Sequence, residues 1–364
     1  MIRNNSIKTL LATLCTAAVS LTAAVPAGAA DVDFAGKRVE VIVPFGEGGG
    51  ADSYGRYMAR VLGPVLPGAP TLLIRNIPGG GSINGANWFE QNARTDGTNF
   101  AVASTATTTA FGLQPNDPRI KFNPGGWKAF IASPMGRIIY AHANTGLKSV
   151  ADLKNFKGKL VMAVDGPTGG DMSSVYSLHL LGVDPKAVFG TDGGDAHLGF
   201  ERGEITVESD VASAFLQLGK PLVDSGVAVP LFTFGYVKDG KIVRDPSFPD
   251  LPSFPEAYEI INGKPPSGPQ YDAWVALFYM AVMNSKALVL PAKAPPDVVK
   301  AYNDAAAKLV SNPAFVEESA RFIGAYPQLT GDAATESLRK ATEITPEARA
   351  AIAKYLKEQF NFNL

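Results

Sequence analysis

The sequence predicts an α/β protein built from two similar units of alternating strand and helix. Three observations carry that expectation. Strand and helix signals alternate through the first third of the chain, and the same rhythm returns in the middle. Glycine-rich turns follow the strands, at the edge where a parallel sheet binds ligands.

The elements are justified in order. Arg38 to Val43 is a short apolar strand. It runs into Pro44, then into four glycines within five residues (Gly46, Gly48, Gly49, Gly50), then into a helix start. From Asp52 to Leu66, Tyr54, Met58, Val61 and Leu62 recur at helical spacing. Thr71 to Ile74 is a second strand, Gly85 to Ala93 a second helix with Trp88 and Phe89 as core candidates, and Thr98 to Ala103 a third strand. Such a run implies parallel strands joined by right-handed crossovers.

In the middle, Ile138 to His142 is a strand, and Ser149 opens a short helix from Val150 to Asn155. Leu160 to Val164 is a strand that ends in a second glycine-rich turn, Gly166 to Ser174. A helix over Ser173 to Leu181, a strand beginning at Val188 and a helix from Asp195 to Glu201 follow. Residues 235–270 are proline-rich and loop-like. Tyr271 to Met283 is strongly apolar. Helices over Pro296 to Val310, Pro313 to Phe322 and Pro346 to Phe360 each begin with proline, whose fixed φ suits a first helical turn.

Composition narrows the function. Residues 1–30 read as a secretory signal: Arg3 and Lys8 are cationic, Leu10 to Val25 is apolar, and Ala27-Gly28-Ala29 offers a cleavage site. The apolar run is too short to span a bilayer comfortably. The formal charge of the whole chain is -1; removing two cations leaves -1 minus 2, or -3, so no basic field points to nucleic acid. Cys15 is the one cysteine and lies inside the signal, and Leu14 before it is a poor match to a lipidation site. The mature chain therefore has no disulfide and no thiol chemistry. Together these features suit a bacterial periplasm.

Three turns at successive strand ends carry the chemistry. The first is Gly46 to Ser53, the second Asn76 to Asn84 with Gly79-Gly80-Gly81-Ser82, and the third Ser104 to Thr109. All place small, neutral donors at a helix N-terminus, where an anion is stabilised. The run Gly46-Glu47-Gly48-Gly49-Gly50-Ala51 fits a dinucleotide fingerprint, but Pro44 breaks the direct strand-to-glycine entry, and nicotinamide cofactors are not expected outside the cytoplasm. No Gly-Lys-Ser/Thr phosphate loop occurs, so no cofactor is expected. Asp165 and Asp171 read as helix caps and Arg137 as an ion-pair partner near the unit boundary. Trp88, Trp127 and Trp274 read as core, with Phe45 and Trp274 as possible cleft walls. His142, His179 and His197 form no metal-binding pattern, and no G-x-S-x-G elbow occurs, so neither metal nor catalysis is expected.

These residues resemble the TctC/Bug family, the periplasmic solute-binding proteins of tripartite tricarboxylate transporters. Val41-Ile42-Val43-Pro44-Phe45 followed by glycines, Asp52, Arg56 and Leu62 is similar to the family opening. Asn76-Ile77-Pro78-Gly79-Gly80-Gly81 stands where the family has Asn-x-Pro-Gly-Ala-Gly-Gly. Asp96-Gly97-Thr98 lacks one residue of the family's Asp-Gly-Tyr-Thr. Gly166 to Ser174, Gly193-Gly194, Arg202-Gly203-Glu204 and Phe248 to Glu256 follow the family order.

The resemblance implies a type II-like periplasmic binding protein of two lobes, each a mainly parallel sheet flanked by helices, with ligand in the cleft between them. The implied boundaries are 1–30 for the signal, 31–135 plus 256–364 for lobe 1, and 136–255 for lobe 2. Ligand contacts are implied at Phe45, Gly49, Ala51, Asp52, Ser53, Gly81, Ser82, Ser104 and Thr105, and across the cleft at Thr168, Gly169 and Asp195. Glu47 stands where the family has a small or apolar residue, and 261–271 looks longer than usual. The expected function is capture of an organic carboxylate, a dicarboxylate or aromatic acid, by a monomer that delivers it to the membrane permease subunits of a tripartite transporter. Alternatives are a periplasmic sensor for a membrane kinase, or an enzyme acting on an acidic substrate.

Overall fold

The computed structural model describes residues 32–48, 50–190 and 193–364. The expected signal, Cys15 and Gly49 lie outside the described residues. Among those described, no helix is long and apolar enough to cross a membrane.

The first half opens with β1 (Arg38–Val43), α1 (Gly50–Leu62), β2 (Thr71–Asn76), α2 (Ile83–Asn92), β3 (Asn99–Ser104), α3 (Thr105–Leu113) and β4 (Lys128–Ser133). The chain then crosses into β5 (Arg137–His142), β6 (Val161–Val164), α4 (Met172–Leu180), β7 (Lys186–Phe189), α5 (Gly193–Glu201) and β8 (Val207–Val211). A continuous helical stretch follows: α6 (Ala212–Ala214), a wider π-helical turn over Phe215–Gly219, and α7 (Lys220–Asp224). Next come β9 (Ala228–Thr233), the hairpin of β10 (Tyr236–Lys238) and β11 (Lys241–Val243), α8 (Phe254–Asn262) and α9 (Pro269–Phe278). The chain returns through β12 (Lys286–Leu290), α10 (Pro296–Val310), α11 (Pro313–Ile323), β13 (Leu329–Thr330), α12 (Gly331–Lys340) and α13 (Pro346–Phe360).

The main sheet has six strands in the order β13-β4-β12-β3-β1-β2. Its side chains alternate between two apolar layers, as a period of two requires. Val39, Val41, Val43, Phe100, Val102, Leu288 and Leu290 face one layer with Tyr54, Met58 and Leu62 of α1 and Tyr302 of α10. Ile42, Ala101, Ala103, Ala287 and Val289 face the other, with Phe89 of α2 and Leu338 of α12. Both faces are thus covered by helices, and the central β3 is buried along its whole length. β2 has no fully buried residue because it is an edge.

Parallel pairing holds for β1 with β2 and β3, and for β6 with β7. The rest is mixed. β12 runs antiparallel between β3 and β4, and β5 is antiparallel to both β8 and β9. The expectation of mainly parallel sheets is corrected to this extent. The reason is topological: the chain leaves the main sheet at the end of β4 and re-enters at the same edge. β12 must therefore run backwards.

The second half has its own core. Phe232 and Phe234 cluster with Met172, Tyr176, Trp274, Phe278, Ile352 and Tyr355. Trp274 is stacked on Phe254 at 4.1 Å and donates its Nε1–H to Ser177 Oγ at 2.7 Å. It is 0% exposed and lines no cleft. Residues of α8, α9 and α13 thus pack with the second sheet, whereas α10, α11 and α12 pack on the main sheet. The chain crosses between these groups at 134–136, 279–285 and 341–345; the first two crossings lie side by side, and Met135 N–H donates to the Val282 carbonyl at 3.0 Å.

Candidate functional site

β1, β2, β3 and β4 all end at one edge of the main sheet, and β12 begins there. This edge collects the glycine-rich turns. The first turn is fixed by Asp52, which is 2% exposed. Its Oδ2 accepts from Gly48 N–H at 2.9 Å and from Arg56 Nε at 2.8 Å, and its Oδ1 accepts from Asn76 Nδ2 at 2.9 Å. Asn76 also donates to the Phe45 carbonyl at 3.0 Å. Burial opposes ionisation of Asp52, but these hydrogen bonds outweigh it and hold the carboxyl below its ordinary range. Its acceptor sites are engaged by the protein itself, so the side chain braces two loops. Ala51 points into the core and Phe45 is half-buried against it. Ser53 is exposed on the first turn of α1 and lines the cleft.

The second turn is built from Gly79, Gly80, Gly81 and Ser82, all at positive φ. Ser82 at φ 88 is the one non-glycine among them, a conformation that costs about 1–3 kcal/mol. Its hydroxyl is buried without a partner. Gly85 locks this turn to the first: a Cβ there would stand 2.5 Å from Pro44 Cα and 2.6 Å from the Ile77 carbonyl. The third turn places Ser104 before α3, with its N–H donating to Thr107 Oγ1 at 3.3 Å, and Thr105 N–H donating to the Ser285 carbonyl at 3.1 Å.

A cavity of about 890 Å³ opens beside the first turn. Glu47, Gly48, Gly50 and Ser53 form one wall, with Tyr54 and Tyr57 of α1 behind them. Met135 of the first crossing, Val211, Ser213 and Gln217 of the second half, Phe322 of α11 and Lys286 of β12 complete it. The second turn (Gly81, Ser82) is not part of this wall. Ser104 is not either, but it pairs in register with Lys286.

Lys286 is the feature that motif reading passed over. It pairs with Ser104 on one side and Ser133 on the other. Burial first, and then the charge of Arg137, push its pKa down to about 8. The available signal was a lone lysine between two apolar runs, Tyr271 to Met283 and Ala287 to Leu290. Nearby, Arg137 is 7% exposed. It donates to Asp171 Oδ1 at 3.0 Å and Ser209 Oγ at 3.0 Å, and lies 3.5 Å from Ser174 Oγ.

In the second half, the Gly166 turn is folded over Asp165, which accepts from Gly170 N–H at 3.0 Å. Thr168 and Gly169 are half-buried in this turn. A Cβ on Gly170 would stand 3.8 Å from Thr105 Cγ2, so this turn faces the third turn of the main sheet. Asp195 is exposed in the first turn of α5 and is not among the residues of the cavity wall. Asp171 precedes α4 but makes no capping hydrogen bond; it holds Arg137 and accepts from Asp165 N–H at 3.3 Å.

A second buried polar group lies behind Arg137. Tyr140 Oη is 2.8 Å from Glu208 Oε2 and 2.7 Å from Asp210 Oδ2. One phenolic hydrogen cannot serve two carboxylates, so one of the pair keeps its own proton and donates it to Tyr140. Burial, reinforced by the Asp210 charge, pushes Glu208 up to about 8. Among the described residues no cluster of histidine, cysteine or carboxylate side chains could hold a metal ion.

No family model matches this sequence, and no curated protein matches it. Solved structures do. An R. palustris protein with adipate is similar at 18% identity and a TM-score of 0.62, over 88% of this chain and 95% of its own. A TctC solute-binding protein from Polaromonas, without ligand, is similar at 20% identity and a TM-score of 0.60, over 87% of this chain and 98% of its own. MatC from Rhodopseudomonas palustris, with bound malate, is similar at 18% identity and a TM-score of 0.59, over 87% of this chain and 97% of its own. The fold of this chain is the two-lobe α/β fold of these periplasmic solute-binding proteins.

Proposed function

We propose that this chain is a periplasmic solute-binding protein that captures an organic carboxylate and hands it to the membrane subunits of a tripartite tricarboxylate-type transporter. The observation that carries this reading is the cavity at the end of β1. It joins the N-terminus of α1 and the Ser53 hydroxyl to a cationic Lys286, in a fold shared with adipate- and malate-bound proteins. Helix N-terminal amides stabilise a carboxylate. Bridging waters let one such wall accept acids of different length.

The lobes are then 32–133 with 286–340, and 137–283 with 346–364, in place of the expected 31–135 plus 256–364 and 136–255, and the chain passes between them at 134–136, 284–285 and 341–345. Ligand binds in the cleft and shifts the open–closed equilibrium by its differential affinity for the closed form. The protein acts by binding, without turnover.

Thermal unfolding in the presence of malate, succinate, adipate and benzoate tests the reading. A ligand at about one hundred times its Kd adds about 2.7 kcal/mol, a clear upward shift in Tm. If none of the four acids raises Tm, carboxylate capture is wrong for this cleft.

A further inference from the structure

Lys286 stands out as a cation that the fold itself does not neutralise. Strand alternation sends its side chain to the face shared with Leu288 and Leu290, beneath α1 and into the cavity. Among the described residues its Nζ meets no carboxylate; it donates to the carbonyl of Ser285 at 3.3 Å. Its neighbours in register are the neutral Ser104 and Ser133, and Ser133 Oγ is bound to Tyr54 Oη at 2.7 Å. Arg137 cannot help, since it is a like charge already held by Asp171. A part-buried ammonium without a counter-charge is costly, and an incoming anion lowers that cost.

We propose that Lys286 is the charge partner of the bound acid, so that the site selects a ligand with a full negative charge facing β12 rather than a neutral polar solute. This rests on the carboxylate reading above. The ligand class it names is an acid with one carboxylate at Lys286 and its remaining polar groups against the Ser53 hydroxyl and the N-terminus of α1.

The groups facing Lys286 are few. Arg137 comes from β5, Tyr54 and Tyr57 from α1, and the exposed Glu47 from the first turn; the α11 wall offers Phe322 and Ile323. Only Arg137 and Glu47 are charged near neutral pH. Binding should therefore weaken as pH rises past the Lys286 pKa of about 8, because the deprotonated amine has no charge to offer.

Calorimetric titration with malate, succinate, adipate, benzoate and the diamides of the three diacids, on wild type and Lys286→Gln, tests this. Wild type should bind at least one acid and prefer it over its amide. Lys286→Gln should bind that acid about 10- to 100-fold more weakly. Wild-type affinity should also fall between about pH 7 and about pH 9.5, a readout that needs no variant. Wild type binding an acid that Lys286→Gln holds within about threefold, or with no fall over that pH range, overturns the role of Lys286 alone. If wild type binds none of the acids, the carboxylate reading fails and takes this inference with it.

Discussion

Asp52→Asn separates a brace from a ligand contact. The carboxylate accepts from Gly48 N–H, Arg56 Nε and Asn76 Nδ2 at 2.8–2.9 Å. An amide of the same shape has one accepting atom. Whichever way it turns, its NH₂ faces either Asn76 Nδ2 or the pair of Gly48 and Arg56, all donors. The Arg56 side chain is 50% exposed and can turn to water, so its loss matters little. The bonds at Gly48 and Asn76 are part-buried and worth about 1–1.5 kcal/mol each. One side keeps its acceptor, so Asp52→Asn should destabilise the protein by about 1–1.5 kcal/mol, measured by urea unfolding at neutral pH. The sign with pH follows from the lowered carboxyl. Its contribution is present above the ordinary aspartate pKa of 3.8 and is lost as pH falls through the still lower folded value. The gap between wild type and variant should close on acidification. A loss below about 0.5 kcal/mol, combined with a large drop in ligand affinity, would refute the brace and make Asp52 a direct contact.

Three further outcomes are expected. Gly136→Ala should disrupt the first crossing, because a Cβ there would stand 2.1 Å from Tyr326 Oη and closer still to Asp245 Oδ2, which accepts from Tyr326 at 2.9 Å. Scattering and denaturation should show a looser, less stable protein, and unchanged behaviour would mean the crossing yields freely. Glu208→Gln should flatten the stability profile. Wild type, holding a proton that the unfolded chain releases near 4.5, loses stability from about pH 5 to 8 by up to about 1.4 kcal/mol per unit, and the variant, in which only the buried Asp210 is still raised, should lose less; parallel profiles count against the shared-proton arrangement. Glu47→Gln removes an exposed carboxylate from the cavity wall. Affinity for dianions should rise about two- to fivefold with little change in Tm, and equal affinity would place Glu47 outside the ligand's field.

Much of the main sheet could be read from sequence because its signals are local. Val39 and Val41 to Val43 form an apolar run broken only by Glu40, the glycines at 46–50 and 79–81 mark turns, and Tyr54, Met58 and Leu62 keep helical spacing. β12 was not legible: its neighbours β3 and β4 are distant in sequence, and nothing in Lys286 to Leu290 announces an insertion between them. Lys286 shared that fate, since a lysine is ordinary until its strand is placed in the middle of a sheet. Asp52 and Ser53 are adjacent and equally polar, yet one is consumed by the fold and the other faces the cavity. That difference lies in the direction of α1, not in residue type. Residues 235–270 read as loop, yet they hold the β10–β11 hairpin and α8, and the aromatic contacts of Trp274 tie α8 and α9 to the second core.

The placement of β12 also bears on how the polypeptide can be made. Thr105 Oγ1 reaches the Ser285 carbonyl across 180 residues of chain, and β3 and β4 have no mutual pairing without the strand between them. A growing chain that has reached only the second crossing carries β1, β2 and β3 on one side of a gap and β4 on the other. Its most central strands are left with open edges. Closure entropy must be met before such distant pairing is rewarded, which slows folding. The main sheet can therefore zip up only when the last quarter of the polypeptide has emerged. Until then the nascent chain is loose, threadable and dependent on protection of its bare strand edges.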